Sequence, residues 1–320
     1  MTSSAGVAVG APRGFARRLA AAVVDRRADA RSLAAFRIVL GTFTLGYLAT
    51  RVPVHLGLRG RSGAGLEPVG VLTPLDSPLP DGVVVALVVA GLASSAALAV
   101  GFAHRVSGPL AAAVVLVLAT YRSSWGQLLH FEHLIVLHLL VVALSPAADA
   151  WSVDSRRRGR AARPERPATA YGWPLGLASM VTVATYVIAG IAKLRIGGAG
   201  WVLGDALRNH VAYSAARLDV LGAAPPLLAG PLVRVPALLA VAAAVTVVLE
   251  LSAPVALVSR RFRDGWVAAT WAMHVGVLAS MHVGFPMPLL GVAFVPLFDL
   301  DRGWSAVAGR AGRWRNRRRP

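Results

Sequence analysis

The chain contains no cysteine among its 320 residues. Disulfide bonds, thiolate catalysis and metal sites with cysteine ligands are therefore excluded. Acidic residues are also scarce, 15 against 33 basic ones, and every basic residue except Lys193 is an arginine. No polar segment is long enough to form a separate soluble domain. A single lysine in a chain that otherwise uses arginine marks that position for closer inspection.

Apolar runs dominate the rest of the sequence. Hydrophobic residues make up 56% of the chain, and the mean hydropathy is +0.62. Several runs approach or exceed the ~20 residues that a helix needs to cross a bilayer. We therefore predict an all-α, polytopic integral membrane protein with about eight transmembrane helices, at residues 32–52, 82–102, 108–121, 128–146, 174–194, 236–258, 266–282 and 286–299.

The predicted membrane domain, 32–300, lies between a basic N-terminal segment, 1–31, and a basic tail, 301–320. The third and last spans, 108–121 and 286–299, are short, so seven or nine crossings remain alternatives. An even number of crossings puts both termini on one side. If that side is the cytoplasm, the inner segments hold 23 basic residues and the outer ones hold 8, with Arg37 and Lys193 inside spans. The positive-inside rule therefore predicts cytoplasmic N- and C-termini.

The formal net charge of +18 raises the question of a nucleic-acid partner. The arginines, however, fall between apolar runs and at both ends of the sequence, and they form no basic-aromatic binding face. Anionic lipid head groups account for such a distribution. We therefore expect membrane lipids as partners, no nucleic acid, and a multi-pass protein of the plasma membrane; the sequence does not identify a protein partner.

Lys193 lies in the apolar string Tyr186-Val-Ile-Ala-Gly-Ile-Ala-Lys-Leu194. Unlike arginine, lysine loses its proton when poorly solvated and then acts as a base or nucleophile. Ionisable residues inside membrane segments are costly and are often functional. The alternative is a lysine at a helix end that extends its amine to the head groups. Position alone does not separate the two interpretations.

Other polar residues are predicted at the depth of Lys193. The fourth span begins near Trp125 and brings His130, Glu132 and His133 to the outer side, if each residue advances a helix by ~1.5 Å. We expect a polar cluster of one amine, one carboxylate and several imidazoles there. The histidines do not share one face with the carboxylate, so no metal site is predicted.

A second polar group is predicted nearer the cytoplasmic ends of the spans. Arg37, Glu250 and His274 each lie roughly 8–12 Å from those ends by the same rise. A buried glutamate needs a partner or becomes protonated. We therefore predict an Arg37–Glu250 ion pair with His274 beside it, either as a structural pair between helices or in contact with a ligand head group.

Several strings, taken in order, resemble the horizontally transferred transmembrane (HTTM) domain family, whose best-understood relative is the membrane part of vitamin K-dependent γ-carboxylase. They are Ser32-Leu-Ala-Ala-Phe-Arg-Ile-Val-Leu-Gly41, Ser124-Trp-Gly-Gln-Leu-Leu-His130 followed by Leu137-His-Leu-Leu140, Trp151-Ser-Val-Asp154, the string that ends in Lys193-Leu194 with Gly200-Trp201 after it, and Leu249-Glu250 with His274. The resemblance covers about residues 32–300.

The resemblance implies that Lys193 is the base that deprotonates a reduced quinone of the vitamin K or menaquinol type. His130 or His133 would assist, and Trp125, Glu132, Trp201 and Asp205 would line the cofactor pocket, the last two at its mouth. The implied activity is quinol-dependent epoxidation or carboxylation, a lyase-type reaction.

Two differences set this chain apart from the carboxylases. Asp149 stands where they have a catalytic histidine, and no segment corresponds to their large lumenal domain. The alternative hypothesis is a non-catalytic membrane module that binds a lipid or a partner protein. A transporter is less favoured, because the sequence shows no inverted repeat.

Overall fold

The computed structural model describes residues 12–128, 131–159, 164–203, 205–298 and 300. Within these ranges the secondary structure is helical, without a strand. The helices are α1 (Pro12–Val24), α2 (Ala30–Leu56), α3 (Asp81–Val100), α4 (His104–Ser123), α5 (Glu132–Ala143), α6 (Val153–Arg158), α7 (Ala168–Gly197), α8 (Gly200–Leu203), α9 (Ala206–Val220), α10 (Ala229–Val233), α11 (Pro236–Ser252), α12 (Val255–Val258), α13 (Arg260–Met281) and α14 (Pro286–Leu289). The predicted all-α class is confirmed.

Four of the helices in the described ranges are long and apolar enough to cross a membrane. They are α2, α3, α4 and α7. Each corresponds to one predicted span. Helices α2, α4 and α7 extend beyond their predicted limits, because polar residues such as Arg31 and Arg195 join the helix ends, whereas α3 ends at Val100, two residues before its predicted limit. The apolar helices α5 and α11 are shorter, at 12 and 17 residues. Eight crossings and the cytoplasmic position of the termini stay predictions.

Two predicted spans are interrupted. Pro254 separates α11 from α12, where the sequence predicted one span over 236–258. The predicted helix over 286–299 is wrong: the chain forms the short α14 and then a 3₁₀ helix, Val292–Leu297. Gly291 adopts a positive φ of 74° between them, and Pro296 lies inside the 3₁₀ segment. Hydrophobicity alone predicted a helix, but proline and a left-handed glycine end helices.

The helices α2 to α5 pack in sequence, each against the next. Their shared core contains Phe36, Leu40, Leu118 and Leu139, all at most 1% exposed. Gly41 permits the closest approach, since a Cβ there would lie 2.7 Å from Cα of Ala99 in α3. Small residues at such contacts let helix backbones meet without a side chain between them.

The helix α7 connects this group with the second half of the molecule. It packs against α1 and α5 and also against α11. Glycine lets α7 approach α1 closely, because a Cβ on Gly176 would lie 2.5 Å from the Val23 carbonyl oxygen of α1. A second core surrounds Tyr186 and includes Trp266 and Phe294. The far end of α7 therefore lies among α11, α13 and the segment after α14.

Candidate functional site

The lone lysine is paired with a buried glutamate. Lys193 Nζ donates a hydrogen bond to Glu250 Oε1 at 2.5 Å, and the side chains are 21% and 5% exposed. Both residues lie near the C-terminal ends of their helices, α7 and α11. The charge of the amine is therefore balanced within the protein, and Lys193 is only partly accessible.

Gly190 brings the two helices together at this point. It lies one turn before Lys193, on the same face of α7. A Cβ at position 190 would lie 3.0 Å from Glu250 Cβ and 2.9 Å from Leu251 Cδ2. The absence of a side chain at Gly190 thus lets α11 approach closely enough for Glu250 to reach the lysine.

Trp201 covers the lysine from the next element. Gly198 turns the chain after α7 with φ of +53°, and α8 then places the Trp201 ring with its centroid 5.5 Å from Lys193 Nζ. This distance is within the range of a cation–π contact. The indole also contacts His210 of α9, with ring centroids 5.6 Å apart.

His274 of α13 completes the group through Tyr186. The Tyr186 hydroxyl and His274 Nε2 form a hydrogen bond of 2.8 Å. Tyr186 lies two turns before Lys193 on α7, so both side chains share one helix face. We call the group of Lys193, Glu250, Tyr186, His274 and Trp201 the Lys193 site. The sequence alone did not single out Tyr186; its seven-residue spacing from Lys193 was the available signal.

Glu132 lies in a different group from Lys193. It accepts hydrogen bonds from the Tyr47 hydroxyl and from Arg122 Nη1, the latter at 3.1 Å. Arg51 lies over the Tyr47 ring, 5.1 Å from its centroid. Trp125 is on this side too, edge-on to Tyr121. The carboxylate that pairs with Lys193 is therefore Glu250 and not Glu132, and a role of Glu132 in a cofactor pocket stays a prediction.

Two phenylalanines lie between the groups. The Phe131 and Phe285 ring centroids are 6.2 Å apart, and Phe285 is 5.1 Å from the His274 ring. Of the histidines predicted as helpers, His133 is exposed at the start of α5, and His130 lies outside the described residues. Asp205, predicted at the pocket mouth, is 56% exposed and pairs with Arg208 at 3.6 Å.

The predicted Arg37–Glu250 pair is wrong. Arg37 is fully buried and donates to the carbonyl oxygens of Ala147 at 2.9 Å and Trp151 at 2.6 Å. The predicted span limits placed Glu250 and Lys193 at different depths. In the structure Gly190 of α7 lies against Glu250 and Leu251 of α11, so Glu250 reaches Lys193, one turn further along α7. The loop after α5 supplies the acceptors for Arg37.

Asp149 belongs to the same loop as these carbonyl groups. Its two oxygens accept hydrogen bonds from Arg158 Nη2 at 3.0 Å and Arg166 Nε at 2.8 Å. The Tyr171 hydroxyl donates to it at 3.2 Å. The position at which the carboxylases have a histidine is therefore occupied here by a carboxylate whose oxygens already have partners.

The described residues contain no cluster of three or more histidine, aspartate or glutamate side chains suited to a metal ion.

Comparison with known proteins matches this chain to a family. A search of the curated proteins and a search of the solved structures each found no match. The model of the HTTM domain matches residues 25–304, which is most of the chain, and the apolar helices agree with a membrane protein. The chain therefore belongs to the HTTM domain family.

Proposed function

We propose that the Lys193 site binds the hydroxyl-bearing head group of a reduced lipid quinone and accepts a proton from it at Lys193 Nζ. In this proposal the site opens to the outer side of the plasma membrane. The observation that carries the proposal is the pairing of the lone lysine with a buried carboxylate that holds a second, unpaired oxygen. This activity matches what the family resemblance implies for Lys193.

Buried polar atoms around the lysine suit a hydroxylated ring. Glu250 Oε2, His274 Nδ1 and Trp201 Nε1 form no hydrogen bond with any described residue. Buried polar atoms are nearly always satisfied, and an unsatisfied one costs about 1–3 kcal/mol. A carboxylate oxygen and an indole N–H can bind a hydroxyl group as acceptor and donor. Their proximity to Lys193 supports a ligand of this chemistry.

The salt bridge also gives Lys193 a way to become a base. An ammonium ion cannot accept a proton, so Lys193 must first donate its own. Glu250 Oε1, at 2.5 Å, is the acceptor for that transfer. The transfer leaves two neutral groups, which low solvation favours over two charges. The neutral amine then takes up a hydroxyl proton and is an ammonium ion again.

The flanking helix surfaces suit a lipid tail. Ile188, Ile191 and Leu194 on α7 are exposed, as are Val275 and Leu278 on α13. These apolar side chains lie on the helices that carry Lys193 and His274. A reduced quinone, when bound, supplies the electrons and the hydroxyl proton for oxygen-dependent epoxidation. The chain's own residues would hold the head group and manage its proton.

The test separates binding from proton uptake. Lys193→Arg keeps the charge but removes the base, because the guanidinium stays protonated. We expect purified wild type and Lys193→Arg both to retain extractable isoprenoid quinone by mass spectrometry. With a short-chain naphthohydroquinone under anaerobic conditions, only the wild type should shift the probe's absorbance to that of its ionised form.

Arg195→Gln is the matched control, since Arg195 is exposed on the same helix and has no ion-pair partner among the described residues. It should behave as the wild type in both assays. An equal absorbance shift in Lys193→Arg contradicts a base role. Failure of every form to retain quinone or bind the probe favours the non-catalytic lipid- or partner-binding module.

A further inference from the structure

A second polar cleft lies at the start of α4, beside the loop after α5. Its volume is about 580 Å³. Four arginines and two aspartates are among the residues that line it: Arg105, Arg157, Arg158, Arg166, Asp149 and Asp154. We call it the Arg105 cleft. None of these residues belongs to the Lys193 site.

The two carboxylates do not neutralise all four cations. Asp149 pairs with Arg158 and Arg166. Asp154 uses both oxygens on backbone groups, accepting from Ala103 N and His104 N, each at 2.8 Å. The remaining guanidinium groups, those of Arg105 and Arg157, have no carboxylate partner in the part of the chain that the structure describes.

Arg157 is held with its hydrogen-bond donors available. Its guanidinium carbon lies 4.9 Å from the centroid of the Phe102 ring. A guanidinium over an aromatic ring keeps its in-plane N–H groups available for an anion. His104 also lines the cleft; it is 5% exposed, and its Nδ1 has no hydrogen-bond partner among the described residues.

The backbone around the cleft is fixed before any ligand binds. Asp154 N donates to the Gly101 carbonyl at 3.0 Å, which ties the start of α6 to the turn between α3 and α4. Arg37 fixes the loop after α5 by donating to the Ala147 and Trp151 carbonyl oxygens. Trp151 itself has a positive φ of 46°, a conformation that costs energy in a non-glycine residue. A pre-formed site loses less entropy on binding.

We propose that the Arg105 cleft binds the phosphate group of an anionic lipid, with Arg105 and Arg157 as its two cationic contacts. Guanidinium forks match the oxygens of a phosphate. The volume exceeds what a bare phosphate needs and leaves space for the rest of a head group. At the rim, Val106 and Leu144 are 65% and 76% exposed, which suits the adjoining acyl chains.

The experiment uses the full chain in nanodiscs of phosphatidylcholine with a minor share of phosphatidylglycerol. Native mass spectrometry then measures how much phosphatidylglycerol stays bound. We expect Arg157→Gln to reduce this retention about tenfold, the effect of losing one charged hydrogen-bonding contact. Arg105→Gln/Arg157→Gln should reduce it further.

Arg156→Gln is the matched control. Arg156 is exposed on the same helix as Arg157 and does not line the cleft. Its substitution by glutamine removes the same charge. Equal losses in Arg156→Gln and Arg157→Gln would show a diffuse surface charge and overturn the proposal, as would unchanged retention in the double variant.

A second arm distinguishes the source of the phosphate. Glycerol 3-phosphate and inorganic phosphate are added to protein in nanodiscs of phosphatidylcholine alone, and binding is followed by the shift in thermal unfolding. We expect little shift with either. A shift that needs Arg157 and a failure to retain phosphatidylglycerol would overturn the lipid source and assign the cleft to a soluble phosphate compound. Lys193→Arg should leave both arms unchanged, so the cleft is tested independently of the proton-accepting site.

Discussion

The Lys193 site and the loop around Arg37 both bury charge, yet they satisfy it differently. Arg37 is fully buried and directs Nη1 and Nη2 at carbonyl oxygens of one loop, while its Nε has no partner among the described residues. Asp149 and Asp154 each use both oxygens. At the Lys193 site, one amine meets one carboxylate oxygen, and Glu250 Oε2 has no partner among the described residues.

This difference separates a structural role from a functional one. Groups with several partners fix a backbone and have little capacity left for a ligand. A pair with an unsatisfied oxygen beside it can rearrange its proton and accept another contact. The loop around Arg37 thus stabilises the fold, whereas Arg105 and Arg157 of the neighbouring Arg105 cleft have no carboxylate partner among the described residues and keep donors for a ligand.

The largest expected loss of stability comes from a substitution at Arg37. Arg37→Met removes donors from the Ala147 and Trp151 carbonyl oxygens and leaves the strained turn at Trp151 unsupported. Loss of buried charged hydrogen bonds predicts a destabilisation of about 3–5 kcal/mol. The measurement is thermal unfolding in detergent, with Arg156→Gln as the exposed control. A shift no larger than that of the control contradicts the structural role.

Breaking the Lys193–Glu250 pair should lower the free energy of unfolding by less than Arg37→Met does. The loss should depend on which of the two partners remains. Lys193→Met leaves Glu250 buried without its cation, and we expect a loss of about 2–3 kcal/mol, somewhat below the range for a fully buried pair because Lys193 is 21% exposed. Lys193→Met/Glu250→Gln should recover most of it, because no unpaired charge remains. The double variant should nevertheless fail to ionise the naphthohydroquinone probe.

The double-mutant cycle measures the coupling directly from unfolding free energies of the four forms. Additive losses, with no recovery in the double variant, contradict an interaction between the two side chains. Recovery of both stability and proton uptake contradicts the proposed function but leaves the pair intact as a structural contact.

Gly190→Ala tests the contact between α7 and α11. Its Cβ would meet Glu250 Cβ at 3.0 Å and Leu251 Cδ2 at 2.9 Å. Overpacking predicts a loss of about 1 kcal/mol, partly offset by the helix preference of alanine over glycine. Gly276→Ala in α13 is the control, since nothing lies within 4 Å of its Cβ. It should be neutral or stabilising in the same unfolding measurement, and equal results for both variants exclude a tight contact.

The sequence predicted helices better than contacts between them. The runs that form α2 and α7 were long, apolar and bounded by charge, so their existence followed from composition. The segment 286–299 was equally apolar but contains Pro288 and Gly291, and backbone preference outweighed hydrophobicity. The prediction that Lys193 is special rested on its being the only lysine, which needed no tertiary information.

The partner of Lys193 could not be predicted in the same way. Glu250 was recognised as a buried carboxylate that needs a cation, and both Arg37 and Lys193 were available. The choice depended on how α7 and α11 cross, which Gly190 decides. A glycine one turn before a buried charge was the local signal, but it gains meaning only when the facing helix is known.

The smallest expected effect concerns Asp205, which the sequence predicted at the mouth of the pocket. Its carboxylate is 56% exposed and lies 3.6 Å from Arg208, one turn later on the surface. Exposed pairs contribute about 0–1 kcal/mol. Asp205→Asn should therefore change neither unfolding nor quinone retention measurably, in contrast to Trp201→Ala, which removes the ring over Lys193 and should weaken retention. If Asp205→Asn loses the quinone while Trp201→Ala keeps it, the pocket opens towards α9. Asp205, and not Trp201, then lines the mouth of the Lys193 site.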